Sequence, residues 1–238
     1  MTSTMPKKAR VMIGMVAVAS LCPLFFGAAN WHTPSWPELA LLMIAAALTS
    51  QLKVKLPGMA STMSGNLPTI LLGITQLGLL GGLMVAITAA VAQSCASGKL
   101  KPVQVLFNTC TLMNATALAY AVYHSRFLTA SVGSVAALAM AAAVYFLANT
   151  APVAGIIGLS EEKNSFAVWH NVFLWSFPNY VVGAGLAAFA SQFTTVGLVS
   201  LAALIAVLFG VYRSYRMFVG LVVEQSVPPR AMSMAAGR

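Results

Sequence analysis

From Val11 to Val223 long apolar blocks alternate with short polar or basic joints, and no polar stretch is long enough to form a separate globular unit. A helix needs about 20 apolar residues to cross a hydrocarbon core of roughly 30 Å. Eight blocks approach that measure: Val11–Ala29, Pro37–Leu52, Thr62–Leu77, Gly78–Ala96, Val103–His124, Thr129–Ala148, Phe166–Ala190 and Val196–Tyr212. The fold class expected is therefore all-α, a polytopic integral membrane helical bundle of eight transmembrane helices. Residues 11–220 form its single transmembrane domain, between short tails at 1–10 and 221–238.

The third and fourth blocks are continuous. Asn66 to Cys95 is one apolar run of 30 residues, which a single helix would stretch to about 45 Å. Pro68 and the glycines Gly73, Gly78, Gly81 and Gly82 favour dividing it. Ser35-Trp36-Pro37-Glu38 joins a capping-box spacing to a proline at the first helical position, so a helix should begin there. Trp31 and Trp36 then fall at the outer interface, and Tyr212, Arg213, Tyr215 and Arg216 anchor the last helix in the inner one. Pro152–Ser160 reads equally as an extension of the sixth helix past a kink or as a segment along the inner interface.

Composition agrees with the pattern. Of 238 residues 59% are hydrophobic and 7% charged, whereas soluble domains carry about 25% charged residues. The net charge of +9 comes from small basic clusters between apolar blocks, which argues against a nucleic-acid partner. Eight spans with both termini cytoplasmic put 12 of the 13 basic residues inside and leave Arg126 outside. Reading the 30-residue run as one span gives six against seven, so the positive-inside rule selects eight spans and places the protein in a bacterial inner membrane. The alternative for the first block, behind Lys7, Lys8 and Arg10, is a cleaved signal peptide, which would leave the later topology unchanged.

Little in the chain suggests chemistry. There is no aspartate, Glu38 sits at an outer helix start, Glu161 and Glu162 lie in a cytoplasmic loop, and Glu224 follows the last span. The absence of a midplane carboxylate argues against a proton relay or an ion-coupled carrier, but leaves a passive or uncharged-substrate carrier open. Neutral polar residues lie at depth: Asn66, Gln76, Gln93, Gln104, Asn108, Asn114, Asn149, Asn171 and Asn179. Gln104, Asn108 and Thr111 share a helix face that should point inward, either to join helices by hydrogen bonds or to line a pocket for a small uncharged ligand. In KVKLPGMASTMSGN (53–66), Thr62, Ser64 and Asn66 lie beside a broken helix start. That stretch reads as a binding cavity lined by an interrupted helix, or as a turn before a capped one.

A second concentration comprises Trp169, His170, Asn171, Trp175, Asn179 and Tyr180, with Pro178 expected to bend the seventh span. His170 reads as an interfacial anchor. The ligand-contact candidates are thus Thr62, Ser64, Asn66, Gln104, Asn108, Asn149, Trp175, Asn179 and Tyr180. Cys22, Cys95 and Cys110 show no paired spacing, so they read as packing residues and neither a disulfide framework nor a metal site is expected. Gly78 and Gly82 form a small-xxx-small pair suited to dimerisation or to packing within the chain. No phosphate loop, nucleophile elbow or carboxylate pair occurs, so neither catalysis nor a cofactor is expected.

Several ordered stretches carry a resemblance: KLPGMASTMSGNLPTILLGI (55–74), KPVQVLFNTCTLMNATALAYAVYHSR (101–126), YFLANTAPVAGIIGLSEEKN (145–164), FLWSFPNYVVGAG (173–185) and VYRSYRMFVG (211–220). Over Lys53 to Gly220 the chain resembles the multi-pass membrane sensory region found ahead of diguanylate cyclase and related cyclic-di-GMP signalling domains in bacteria. The resemblance implies a membrane signal-input module whose final helix leads into a cytoplasmic output domain. Here 18 residues follow Gly220, broken by Pro228-Pro229, so cyclase activity is not implied. The leading expectation is a stand-alone sensory module without catalytic activity; the alternative is a small transporter or substrate-binding membrane subunit for an uncharged small molecule. A third reading is a structural or lipid-interacting protein. The partners implied are the bilayer and either a cytoplasmic signalling protein or a second copy of the chain.

Overall fold

The computed structural model describes residues 6–31, 35–51, 53–55, 62–95, 101–191 and 209. Helix α1 covers Lys7–Ala29 and α2 covers Trp36–Ser50. As expected from the capping-box spacing, α2 starts at Ser35, whose Oγ accepts from the Glu38 backbone N–H at 3.4 Å, with Pro37 in the first turn. A two-stranded antiparallel ribbon follows, pairing β1 (Lys53–Lys55) with β2 (Thr62–Ser64), Lys53 opposite Ser64 and Lys55 opposite Thr62.

Helix α3 is short, Leu67–Gln76, and α4 covers Gly78–Cys95. A helix from Thr62 was expected, but Thr62–Ser64 is extended and the helix begins only beside Pro68. Carried further back, the helix would set the proline ring against the carbonyl of Ser64, whereas a proline in the first turn loses no hydrogen bond. The division at Leu77 is as the glycines suggested. Gly78 takes φ +76°, a conformation that strains any residue with a Cβ, and α4 starts there. Across that turn the backbones touch: a Cβ on Gly73 would lie 3.1 Å from Gly82 Cα, and one on Gly82 would collide with Ile74 Cγ2. Helices α3 and α4 are therefore an antiparallel hairpin joined through glycine, and Gly82 of the Gly78/Gly82 pair packs within the chain.

Helix α5 spans Pro102–Tyr123, and α6 (Arg126–Val132) leads into α7 (Ser134–Glu161). The span expected over 129–148 is thus broken at Gly133, φ +81°, and runs on through Pro152 to Glu161, which decides for the helical extension. The chain then forms α8 (Ser165–Val168), a π-helical turn (Trp169–Phe173), a 3₁₀ turn (Leu174–Ser176) and α9 (Phe177–Ala190). The bend between the two halves is 59°. Pro178 lies in the first turn of α9, directly after the break, so the seventh block is bent at the proline as expected. The block at 196–212 falls outside the described residues except Phe209.

Among the described residues four helices, α1, α4, α5 and α7, are long and apolar enough to cross a membrane, or five if the bent pair is one span. Their outer faces are greasy: Val11, Met15, Val18 and Phe25 on α1, Leu118 on α5, Leu147 on α7 and Val181 and Phe189 on α9 are all exposed. Water would reject such a surface, and acyl chains accept it. The interior is built from small residues, Ala45, Ala46, Ala86, Ala89, Ala115, Ala119, Ala141 and Ala142 among them, which let helix backbones approach closely. At its centre lies α3, buried at every position from Leu67 to Ile74 and packed on α2, α4, α5 and α9.

Helix ends pair consistently. Gly27 of α1 lies against Leu80 at the start of α4, and Gly155 of α7 lies against Met12 at the start of α1. Gln51 Nε2, past the end of α2, donates to Ala92 O near the end of α4 at 3.0 Å. The end where α1 begins therefore also holds the end of α7, and Lys7, Lys8, Arg10 and Lys163 flank these elements there. Arg126 lies at the opposite end, after α5.

Candidate functional site

At the end of the bundle away from Lys7, the ends of five helices border a common space. Helices α1, α3 and α5 finish there, and α2 and α4 begin. Between them is a cavity of about 540 Å³ lined by Phe26, Asn30, Trp31, Glu38, Gln76 and Tyr120, with the Leu77–Leu80 turn as one wall. Its size falls within the roughly 300–1,000 Å³ of small-molecule sites.

Each wall has a local cause. Asn30 ends α1 with its backbone N–H and Nδ2 both on Phe26 O, at 3.1 and 2.8 Å, which turns Trp31 out of the helix. The Trp31 ring meets Trp36 at 6.3 Å. The Ser35 cap places Glu38, half-buried, in the first turn of α2. The left-handed Gly78 folds α4 back so that Gln76 and Leu80 face the same space. Tyr120 projects from the last turn of α5, stacked on His124 at 4.1 Å between ring centroids.

Two features mark the site chemically. The Gln76 Oε1 atom is buried without a hydrogen-bond partner, and a buried carbonyl left unsatisfied disfavours the folded chain by about 1–3 kcal/mol. Glu38 is the one acidic side chain in the lining, and it takes part in no ion pair; the ion pair found among the described residues joins Lys163 to Glu161 at 2.7 Å.

The residues singled out from sequence are dispersed. Asn149 and Tyr180 do come together, Asn149 Nδ2 donating to Tyr180 Oη at 3.1 Å. Beside them Trp169 Nε1 donates to Thr150 Oγ1 at 2.9 Å, and Thr150 Oγ1 donates to Phe146 O at 2.7 Å. Phe146 is ringed by Trp169, Phe177 and Tyr180, with centroids 4.9–6.0 Å away. These polar groups satisfy one another and stitch α7 to the π-helical turn and α9, and Asn114 likewise ties α5 to α1, its Nδ2 donating to Val16 O at 3.0 Å. Asn66 is buried at the start of α3, where its carbonyl accepts from Thr69 Oγ1 and the Ile70 N–H. Thr62 and Ser64 contribute backbone to β2, and Trp175 lies in the 3₁₀ turn.

Asn179 and Gln104 are exposed and Asn108 is half-buried. The face expected to point inward on α5 therefore does so at Thr111 and fades toward Gln104, at the helix start. Sequence reading passed over the cavity because its walls come from four distant places in the chain. The usable signal was the capped start holding Glu38 together with Gln76 two residues before Gly78.

No protein-family model matches this chain, and no curated protein matches it.

Proposed function

We propose that this protein is a membrane-embedded module that binds a small molecule in the cavity between α1, α2, the α3–α4 turn and α5, and acts as a signal-input unit. The observation that carries the reading is the cavity itself, of about 540 Å³, with an unpartnered buried Gln76 Oε1 and an unpaired carboxylate in its walls. Its position at the helix ends favours recognition over passage, because carriers place their substrate sites near the bilayer midplane. The resemblance to bacterial sensory regions supports the same reading. Helix α4 joins the cavity at Leu79 and Leu80 to Cys95, 18 residues that rise about 27 Å, and so offers a rigid route to the basic end.

The topology that accompanies this function is eight passages of a bacterial inner membrane with both termini cytoplasmic. Support comes from the gathering of Lys7, Lys8, Arg10 and Lys163 at one end and Arg126 at the other. In this topology α3, about 15 Å long, takes the third passage, with the β1–β2 ribbon that carries Lys53 and Lys55 on the inner side, and residues 196–212 make the eighth. An impermeant amine reagent should modify Lys99 and Lys101 from the cytoplasmic side alone; modification from the periplasm overturns the orientation.

A thermal-shift screen of the detergent-purified full chain against a small-molecule library tests the binding. Ligands that stabilise the protein should lose their effect in Leu80→Trp, which fills the cavity, and should alter the mobility of a spin label on Cys95 in a Cys22→Ser background. A library that yields no ligand sinks the binding reading. The half-length α3, buried from Leu67 to Ile74, favours the second reading, a carrier, since interrupted helices line transport sites. Accumulation of the ligand inside proteoliposomes would establish that reading; a sensor binds without moving its ligand.

A further inference from the structure

We propose that the ligand of this cavity is an organic cation, a protonated amine or quaternary ammonium, held by Glu38 and the surrounding rings. The inference rests on the cavity being a binding site, and adds to it the charge and chemical class of the occupant. Glu38 is half-buried in the wall with no ion pair, and a carboxylate drawn out of water is best compensated by a positive charge brought to it. Three rings, Phe26, Trp31 and Tyr120, line the same space, and aromatic faces attract alkylammonium groups that shed their water. Gln76 supplies a buried acceptor with no donor among the described residues to meet it.

The backbone reinforces this choice. Helices α1, α3 and α5 present carboxyl ends to the cavity while α2 and α4 present amino ends. Each terminus carries about half a charge, so the three carboxyl and two amino ends that line the cavity leave about half a negative charge in excess. Of the described basic side chains at this end, neither Arg126 nor His124, which stacks on Tyr120, lines the cavity. An anion would meet Glu38 and these carbonyls without a countercharge. A bare metal ion would find one carboxylate, the amides of Asn30 and Gln76 and the Ser35 hydroxyl, fewer side-chain oxygens than the roughly six to eight that calcium takes. A neutral ligand would leave the half-buried Glu38 carboxylate without a countercharge.

The test uses the purified full chain in lipid nanodiscs, with choline and benzyltrimethylammonium as probes. Dimethylbutanol serves as the uncharged carbon isostere of choline, and benzoate as the anion. Calorimetry should show both cations binding, the isostere about tenfold weaker or worse, and benzoate not at all. Glu38→Gln should weaken the cations about tenfold while leaving the fold intact, because glutamine serves equally at this position of a capping box. Tyr120→Leu should weaken them independently of Glu38.

Equal binding of choline and its isostere, with Glu38→Gln without effect, overturns the cation and leaves the cavity as a site for neutral molecules. Absence of binding by both cations also overturns it. In that case the binding reading itself stands or falls on the library screen and its loss in Leu80→Trp.

Discussion

Substituting alanine at Gly82 probes the feature on which the topology turns. In the structure Gly82 faces Ile74 across the α3–α4 turn, and an added Cβ collides with Ile74 Cγ2 and comes within 3.3 Å of the Ile74 backbone nitrogen. Ile74 is fully buried and β-branched, so its methyl cannot swing aside. Forcing a methyl group into a packed interior disfavours folding by about 1–3 kcal/mol, against a gain of about 1 kcal/mol from replacing glycine in a helix. We therefore expect Gly82→Ala to be less stable than the parent by about 1 kcal/mol, the difference of those central values.

Gly14→Ala is the internal control. Its Cβ meets nothing within 4 Å, so the propensity gain of up to about 1 kcal/mol stands alone. If residues 66–95 were one continuous helix, Gly82 would lie two turns and more from Ile74 and behave like Gly14. Reversible unfolding in mixed micelles of dodecyl sulfate and a mild detergent, followed by tryptophan fluorescence, gives both values on one scale. The reasoning fails if Gly82→Ala is as stable as Gly14→Ala. Combining Gly73→Ala with Gly82→Ala should be non-additive, because the two positions share one contact.

Other consequences are smaller. Tyr180→Phe removes the acceptor of the Asn149 hydrogen bond and should lower stability in the same unfolding assay by about 0.6–1.7 kcal/mol. Thr111→Val should leave stability unchanged or raise it, since Thr111 Oγ1 is buried without a partner, and matching a polar group by an apolar one of equal shape removes only a desolvation penalty; a loss above about 1 kcal/mol would reveal a bond to that hydroxyl. Cys95 is exposed at the end of α4, Cys22 is exposed on the lipid-facing α1 and Cys110 is buried, so a maleimide, which reacts with the thiolate, should modify Cys95 alone in the membrane-embedded protein and the other two only after unfolding, as read by mass spectrometry.

Sequence alone determined the membrane class, because a chain with 7% charged residues cannot clothe a bundle of this size in water. It also determined the start of α2 at Ser35-Trp36-Pro37-Glu38 and the break at Gly78. Those signals are local: a cap, a proline without an N–H and a glycine with positive φ act within a few residues of themselves.

What the sequence did not determine depends on partners far along the chain. That α3 starts five residues later than its apolar block required Pro68 to be weighed against hydropathy. That Asn149 and Tyr180 satisfy each other, while Gln76 satisfies nothing, could be known only once α7 was laid beside α9 and the α3–α4 hairpin had closed on α1. Whether a buried amide is a rivet or part of a binding wall is decided by which group lies opposite, and no single helix carries that information. The cavity is tertiary for the same reason: its residues, from Phe26 to Tyr120, become neighbours only when five helix ends meet.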